Sequence, residues 1–218
     1  MSFTTRPEIT GTFGVATSTH WIASAVGMGI LERGGNAFDA AVAMGMVLTV
    51  VEPHLNGPLG DLPALICPAG AETPTVICAQ GVAPAGATIA HYRAEGLDMI
   101  PGSGLLATVV PGAFDGWMLM LRDYGTMRLG DVLAPAIGYW LNGHAIVERA
   151  TATIATVAEQ FRTHWKTSAA VFLPGGDVPK PMSLLRAEPS EIATCSEERT
   201  SVTVSTTSAV LLVKSQSL

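Results

Sequence analysis

The amino-acid sequence predicts a layered α+β domain, in which helices pack against short strands. Hydrophobic residues make up 48% of the chain and charged residues 14%, a composition typical of a well-buried core rather than of a disordered or fibrous protein. The patterns occur in the order helices, strands, helices, which favours α+β over a repeating βαβ fold. With 218 residues, the chain can form one domain or a large piece of one.

The first predicted elements are a strand and two helices. Residues 12–18 contain glycine and β-branched residues typical of a short strand, and the apolar residues 21–31 end at a glycine pair, an expected helix stop. Asn36 stands where the second helix needs its N-cap, and Asp39 can complete a capping box. Because this second helix is apolar on nearly every face, we expect it to be buried between layers.

Strands and further helices follow a turn-rich loop. Two short apolar runs, residues 64–67 and 75–78, flank a turn with proline and glycine and predict paired strands of a buried sheet. Residues 105–110 predict one more strand. Helical patterns then occupy residues 113–124, 129–141 and 148–167.

The chain changes composition near Pro189. We therefore predict a unit over residues 1–188 and a divergent tail over residues 189–218, which is rich in serine and threonine. This tail has no good partner in the earlier pattern. A strand, a disordered end and translation in a shifted reading frame are all compatible with it, and the last two are favoured because its composition does not continue the helical pattern.

Charge and hydropathy narrow the possible partners. The formal net charge is −6 and the pI is near 5.3, and without basic clusters we expect no binding to nucleic acid. The N-terminus has no apolar signal core, and the apolar run of residues 40–51 is too short to span a bilayer. The sequence therefore predicts a cytoplasmic protein without a membrane partner.

Cysteines and histidines give no metal or cofactor signal. Cys67 and Cys78 lie in apolar runs and are spaced unlike zinc ligands, so both are predicted to be small buried residues. No two histidines have the i, i+4 spacing of a helical metal pair. His20 is expected in a structural hydrogen-bond network at a helix start, and His54 is a weaker candidate for lining a pocket. The remaining histidines are predicted at the surface or at helix ends: His91, His144 and His164.

Several short motifs, in a fixed order over roughly residues 11–185, resemble the large-subunit sequence of the γ-glutamyltransferase family. A single motif of this kind would be weak evidence, whereas the whole ordered series is specific. The series comprises Gly14 to His20, Ile30 to Ala43 with its Gly34-Gly35-Asn36-Ala37, Val51-Glu52-Pro53, Gly57 with Gly60-Asp61, Ala83-Pro84, Val110-Pro111-Gly112, Tyr124-Gly125-Thr126 and Leu133 to Ile137.

This resemblance implies a fold and a chemistry. The family fold is a four-layer αββα sandwich, made as a precursor that cuts itself before a threonine to leave a large and a small subunit. The new N-terminal threonine acts as nucleophile, its α-amino group can serve as base, and an acyl-enzyme forms. Water or an amine then takes the acyl group. None of the threonines here stands in the matching context, so the resemblance assigns no catalytic residue to this chain and implies a small subunit as partner.

One departure from the family concerns the substrate. Where γ-glutamyltransferases carry an Arg-Glu pair, whose arginine holds the substrate's α-carboxylate, this sequence has Gln80 and Gly81. Gln80 can donate hydrogen bonds but brings no charge. Gln80 is thus the candidate substrate-binding residue, for a glutaryl or cephalosporin-type amide rather than a γ-glutamyl one. The alternative is a loop glutamine bonded to backbone. Asp61 is expected to hold a backbone turn.

Two functional hypotheses follow. In the first, the chain is part of an amidohydrolase or acyltransferase that cleaves a small-molecule amide, γ-glutamyl or a related acyl amide, through a downstream threonine, with a glutaryl or cephalosporin-type amide as the alternative substrate. In the second, it is a truncated or frame-shifted remnant without catalysis. Because the family fold draws strands from both subunits, we expect the chain alone to aggregate or dimerise and to show no turnover.

Overall fold

The computed structural model describes residues 9–102 and 104–186 and the backbone of residues 212–215. In these ranges the chain is a mixture of helices and short strands, as predicted. The helices are α1 (Trp21–Glu32), α2 (Ala37–Val51), α3 (Ile89–Ala94), α4 (Ala113–Tyr124), α5 (Leu129–Asn142), α6 (Glu148–Thr163) and α7 (Lys166–Phe172). The strands are β1 (Gly14–Thr17), β2 (Leu62–Ile66), β3 (Thr75–Ala79), β4 (His144–Ala145), β5 (Leu184–Leu185) and β6 (Leu212–Ser215).

Helix α2 is the centre of the main core. It packs against α1, α4 and α5, and most of its residues are buried, as its apolar sequence predicts. The packing is close: a Cβ atom added to Gly45 would lie 2.4 Å from the Trp117 ring, and one added to Gly27 would lie 2.2 Å from the Met44 sulfur. A second, smaller core lies between α6, α7 and the β4–β5 pair. It is built around Ile146, Ile154, Phe161, Leu173 and Leu185.

The N-terminus of α2 has the predicted capping box. The Asn36 side chain accepts hydrogen bonds from the backbone N–H groups of Phe38 and Asp39, and Asp39 Oδ2 accepts one from Asn36 N at 2.8 Å. The same carboxyl group is fully buried and accepts three more bonds from the loop between α4 and α5. The donors are Thr126 N (2.9 Å), Thr126 Oγ1 (2.7 Å) and Met127 N (3.1 Å). Asp39 therefore joins two parts of the fold that are distant in sequence.

The strands form three antiparallel pairs: β1–β6, β2–β3 and β4–β5. The predicted pairing of the second and third strands is confirmed, with Ala64 opposite Ile77. The expected burial of this sheet is confirmed for one face only: Leu62, Ile66 and Ile77 are buried, whereas Leu65 is 71% exposed and Val76 68% exposed. Helix α4 packs against the β2–β3 pair, and nothing in the described ranges covers the side that carries Leu65 and Val76.

Two other predictions about secondary structure need correction. Residues 105–110 do not form a strand: Gly104, with φ of 95°, begins a short 3₁₀ turn over Leu105–Ala107, and Val110 N bonds to Val82 O. The last predicted helix is also interrupted. It ends at Thr163 and a new helix begins at Lys166, because Trp165 has a non-helical backbone with φ −116° and ψ 72°.

The tail is paired with the body at one place. Residues 212–215 form β6, which lies antiparallel to β1 with Val15 opposite Lys214. The expectation that the tail has no partner is therefore wrong for these four residues, since an unpaired β1 offers backbone groups that another strand can bond. The rest of the tail, with Cys195, lies outside the described residues. None of the helices in the described ranges is long and apolar enough to cross a membrane.

Candidate functional site

Three chain segments meet around Gln80, and we call them together the Gln80 joint: residues 60–61, 79–82 and 110–113. Three hydrogen bonds hold them. Ala113 N donates to Gly60 O at 2.8 Å, Val110 N donates to Val82 O at 3.0 Å, and Gly81 N donates to Asp61 Oδ1 at 3.1 Å. The turn after β3 is thus fixed both to the loop before β2 and to the start of α4.

Two glycines allow this approach. A Cβ atom on Gly81 would lie 1.7 Å from Val110 O, and one on Gly112 would lie 2.7 Å from Ala79 O. Both obstacles are backbone atoms, which cannot turn aside as a side-chain end can. The joint therefore requires glycine at positions 81 and 112.

Gln80 lies exposed at the joint, directly after β3. Its Oε1 accepts a weak hydrogen bond from the Cys78 thiol at 3.7 Å. In the described part of the chain its amide nitrogen has no hydrogen-bond partner, so the structure gives no support to a glutamine bonded to backbone. Asp61 holds the turn through Gly81 N, as expected from the sequence.

The prediction that Cys67 and Cys78 are buried is wrong, since both are exposed thiols. Strand alternation explains Cys78: its neighbour Ile77 faces the core, so Cys78 lies on the opposite, uncovered face of the hairpin. Cys67 comes directly after the end of β2. Apolar neighbours in the sequence do not decide which face of a two-stranded sheet is covered.

A second group of polar residues is buried between α1, the end of α2 and β4: His20, Glu52, His54 and His144. His20 is the N-cap of α1, where its Nδ1 accepts from Ile22 N at 3.1 Å, as its predicted structural role requires. Thr19 Oγ1 donates to Glu52 Oε2. The sequence indicated neither the burial of His144, which was expected at the surface or at a helix end, nor its proximity to the other residues.

The three imidazoles are mostly unpaired. Within the described ranges His20 Nε2 and both ring nitrogens of His54 and His144 have no hydrogen-bond partner. Burial lowers the pKa of His20 and His54, against the opposing charge of Glu52. Burial, with a smaller contribution from His20, lowers the pKa of His144 to about 4. All three rings are therefore best accommodated in the neutral form.

The two groups of polar residues differ in what they offer to a ligand. Among the described residues, no group of three or more histidine, cysteine, aspartate or glutamate side chains could hold a metal ion. The buried histidines stand at the junction of the two cores, whereas Gln80 is open to solvent. Of these two places, only the Gln80 joint presents a polar side chain to an incoming ligand.

Comparison with known proteins identifies the class. The family model for gamma-glutamyltranspeptidase matches residues 23–194, and the chain belongs to that family. The resemblance indicated by the sequence motifs is thereby confirmed.

Particular relatives agree. A solved structure of LmbA2991HD is 61% identical over 84% of this chain and 32% of its own, with a TM-score of 0.80. Gamma-glutamyltranspeptidase from Helicobacter pylori is 32% identical over 88% of this chain and 55% of its own, with a TM-score of 0.76. The acylase ACY 1 proenzyme from Pseudomonas sp. (strain V22) is 35% identical over 84% of this chain and 34% of its own length.

The chain spans between 26% and 34% of the length of the first curated relatives that it matches. The solved structures therefore resemble this chain over only part of their own length, and the matched part is a mixture of helices and sheet.

Proposed function

We propose that this chain is the N-terminal part of an amide hydrolase or acyltransferase of the gamma-glutamyltranspeptidase family. Gln80 contacts the acyl part of a small-molecule amide, and an N-terminal threonine from a segment outside this sequence attacks the amide carbonyl to form an acyl-enzyme. The observation that carries the proposal is the exposed Gln80 amide on a braced turn, in a chain that matches the family model over residues 23–194.

The uncharged side chain of Gln80 bears on the substrate class. A carboxylate flanked by an amine, as on a γ-glutamyl group, is best held by a guanidinium that donates two parallel hydrogen bonds. Gln80 offers a neutral amide instead. A glutaryl group also ends in a carboxylate, so Gln80 alone does not separate it from a γ-glutamyl group. We propose an acyl group of the glutaryl or cephalosporin-acylase type, and the similarity to a cephalosporin acylase from Bacillus halodurans (27% identical, TM-score 0.74) supports this choice.

Exposed apolar side chains support a partner segment. Leu65 and Val76 lie on the uncovered side of the β2–β3 pair, and further large apolar side chains are exposed in the long connection that follows: Val82, Ile89, Met99, Ile100 and Leu105. Patches of this kind are usually covered by another part of a protein. We propose that the threonine-bearing segment adds strands here and completes the four-layer sandwich.

Reconstitution tests the proposal. The chain would be produced with the segment encoded downstream of it, and mass spectrometry would look for a new N-terminal threonine. We expect cleavage of a glutaryl anilide and little cleavage of the γ-glutamyl anilide. If processing occurs and neither amide is cleaved, the substrate class is wrong. If the downstream sequence contains no such threonine, the chain is a non-catalytic remnant.

Replacing Gln80 with arginine should raise the turnover of an acyl group that ends in a carboxylate. In the reconstituted enzyme, Gln80→Arg is expected to raise kcat/KM for the γ-glutamyl anilide by at least about tenfold, because a charged, two-pronged donor would face the α-carboxylate. Gln80→Lys is the matched control: it adds a positive charge but cannot donate two parallel hydrogen bonds, so we expect a smaller rise in kcat/KM. Unchanged rates with both variants would show that Gln80 does not face the acyl group.

A further inference from the structure

We infer that Asp61 is a positioning residue whose carboxyl group fixes the Gln80–Gly81 turn and thereby sets the affinity for the acyl part of the substrate. The inference rests on the proposed function and adds a residue to it. Asp61 does not need to touch the substrate. It acts through one hydrogen bond, from Gly81 N to Asp61 Oδ1 at 3.1 Å.

The first step of the argument is that the turn needs an external support. Position 81 must be glycine, because any Cβ there would overlap Val110 O at 1.7 Å. Glycine has the widest range of backbone conformations and loses the most entropy when it is ordered. Gly81 thus allows the close approach to Val110 but also makes the turn that carries Gln80 more flexible.

The second step is that Asp61 is well placed to give this support. Its neighbour Gly60 accepts a hydrogen bond from Ala113 N at 2.8 Å, at the first residue of α4. Helix α4 in turn carries the buried residues Met120 and Leu121 of the main core. Through Gly60, the Asp61 carboxyl group is held at a fixed place relative to helix α4. Its hydrogen bond then fixes the Gln80–Gly81 peptide relative to the same helix.

The third step concerns the direction of the peptide group. The described chain has no cis peptide bonds, so the Gln80 carbonyl oxygen faces away from the Gly81 N–H and from Asp61. Holding the N–H therefore orients the whole peptide plane. A binding group held by such support loses less conformational entropy when a ligand binds.

The test uses the reconstituted enzyme and two readouts. Asp61→Ala is expected to raise KM for the preferred amide about tenfold, while kcat changes by less than about twofold, because acyl binding is weakened equally in the ground state and the transition state. Asp61→Asn keeps the Oδ1 acceptor and should restore most of the affinity. Asp98→Ala, at an exposed aspartate outside the joint, is the control and should behave as wild type.

Hydrogen exchange at the Val110 amide supplies a readout that is independent of activity. In the reconstituted enzyme, the exchange rate of the Val110 N–H reports its hydrogen bond to Val82 O, next to Gly81 in the same turn. We expect Asp61→Ala to raise this rate at least about twofold, because a looser turn opens this bond more often, and Asp61→Asn to leave it near wild type.

The outcomes separate the inference from the proposed function. An unchanged KM in Asp61→Ala overturns the role of Asp61, even if Gln80→Ala binds substrate poorly. A raised KM in Asp61→Ala with no change in Val110 exchange also overturns it, since the turn would not have moved. A raised KM and faster Val110 exchange in Asp61→Ala, combined with an unchanged KM in Gln80→Ala, supports the role of Asp61 and removes Gln80 from the proposed function.

Discussion

Asp39→Ala is expected to lower the free energy of unfolding by roughly 3 to 5 kcal/mol, one of the two largest effects that we predict. The carboxyl group is completely buried and accepts four hydrogen bonds. Its removal leaves the N–H groups of Asn36, Thr126 and Met127 without this acceptor, and an unsatisfied buried donor costs about 1 to 3 kcal/mol. It also leaves a void beside the N-terminus of α2.

Urea unfolding, followed by tryptophan fluorescence, would measure this effect. Asp39→Asn retains one acceptor oxygen and should fall between wild type and alanine. Asp131→Ala is the control, because it removes an exposed carboxyl group from the first turn of α5. It should lower the free energy of unfolding by only about 0.3 to 1 kcal/mol, the contribution of a charge to the helix dipole. A loss of less than about 1 kcal/mol in Asp39→Ala would show that water replaces the four bonds, contrary to our interpretation of the site.

The second large effect is a loss of stability in mild acid. Burial lowers the pKa of His144 in the folded protein from its ordinary value of 6.5 to about 4. At a pH above the pKa of the unfolded chain, His144 is neutral in both states and the stability is fully present. As the pH falls below that pKa, only the unfolded chain takes up the proton, so the free energy of unfolding declines until the pKa of the folded protein is reached. The total loss amounts to roughly 3 kcal/mol for this residue.

Neighbouring groups act on the same transition. The pKa values of His20 and His54 are lowered too, by burial, while Glu52 opposes the shift and Arg149 adds to it at His54. The acid-induced loss should therefore exceed the contribution of His144 alone.

Unfolding at about pH 7.5 and about pH 5 would measure the acid effect. His144→Phe removes the titrating group, so we expect its stability to depend on pH less steeply than that of wild type, by roughly 2 kcal/mol over this interval. His91→Phe replaces an exposed histidine and should leave the wild-type slope unchanged. Equal slopes for wild type and His144→Phe would mean that His144 is protonated in the folded protein.

Much of the fold could be predicted from local patterns. The strand–helix–helix start, the cap at Asn36 and Asp39, and the β2–β3 hairpin each depend on residues a few positions apart, and all are present. The errors occurred where distant contacts decide. Residues 105–110 are apolar enough for a strand, yet Gly104 starts a 3₁₀ turn and a single bond ties Val110 to Val82.

The candidate site was predictable in part. The order of the motifs led to Gln80, and the family match over residues 23–194 confirms the resemblance on which this choice rests. The contact of Gly81 with Val110 was not predictable, because it joins segments about thirty positions apart and appears only once the chain is folded. Burial of His144 was not predictable for the same reason: its surroundings include Val50 of α2 and Phe172 of α7.

By itself, the sequence determined the family, the mixed α+β class and the local caps of this protein, because periodicity, turn chemistry and ordered motifs are properties of neighbouring residues. Only the tertiary structure decided which faces are covered. It showed exposed thiols on the β2–β3 hairpin, buried imidazoles between two cores, and the joint that braces Gln80. The physical reason is that burial and hydrogen-bond partners depend on segments far apart in the chain, whose meeting no local pattern encodes.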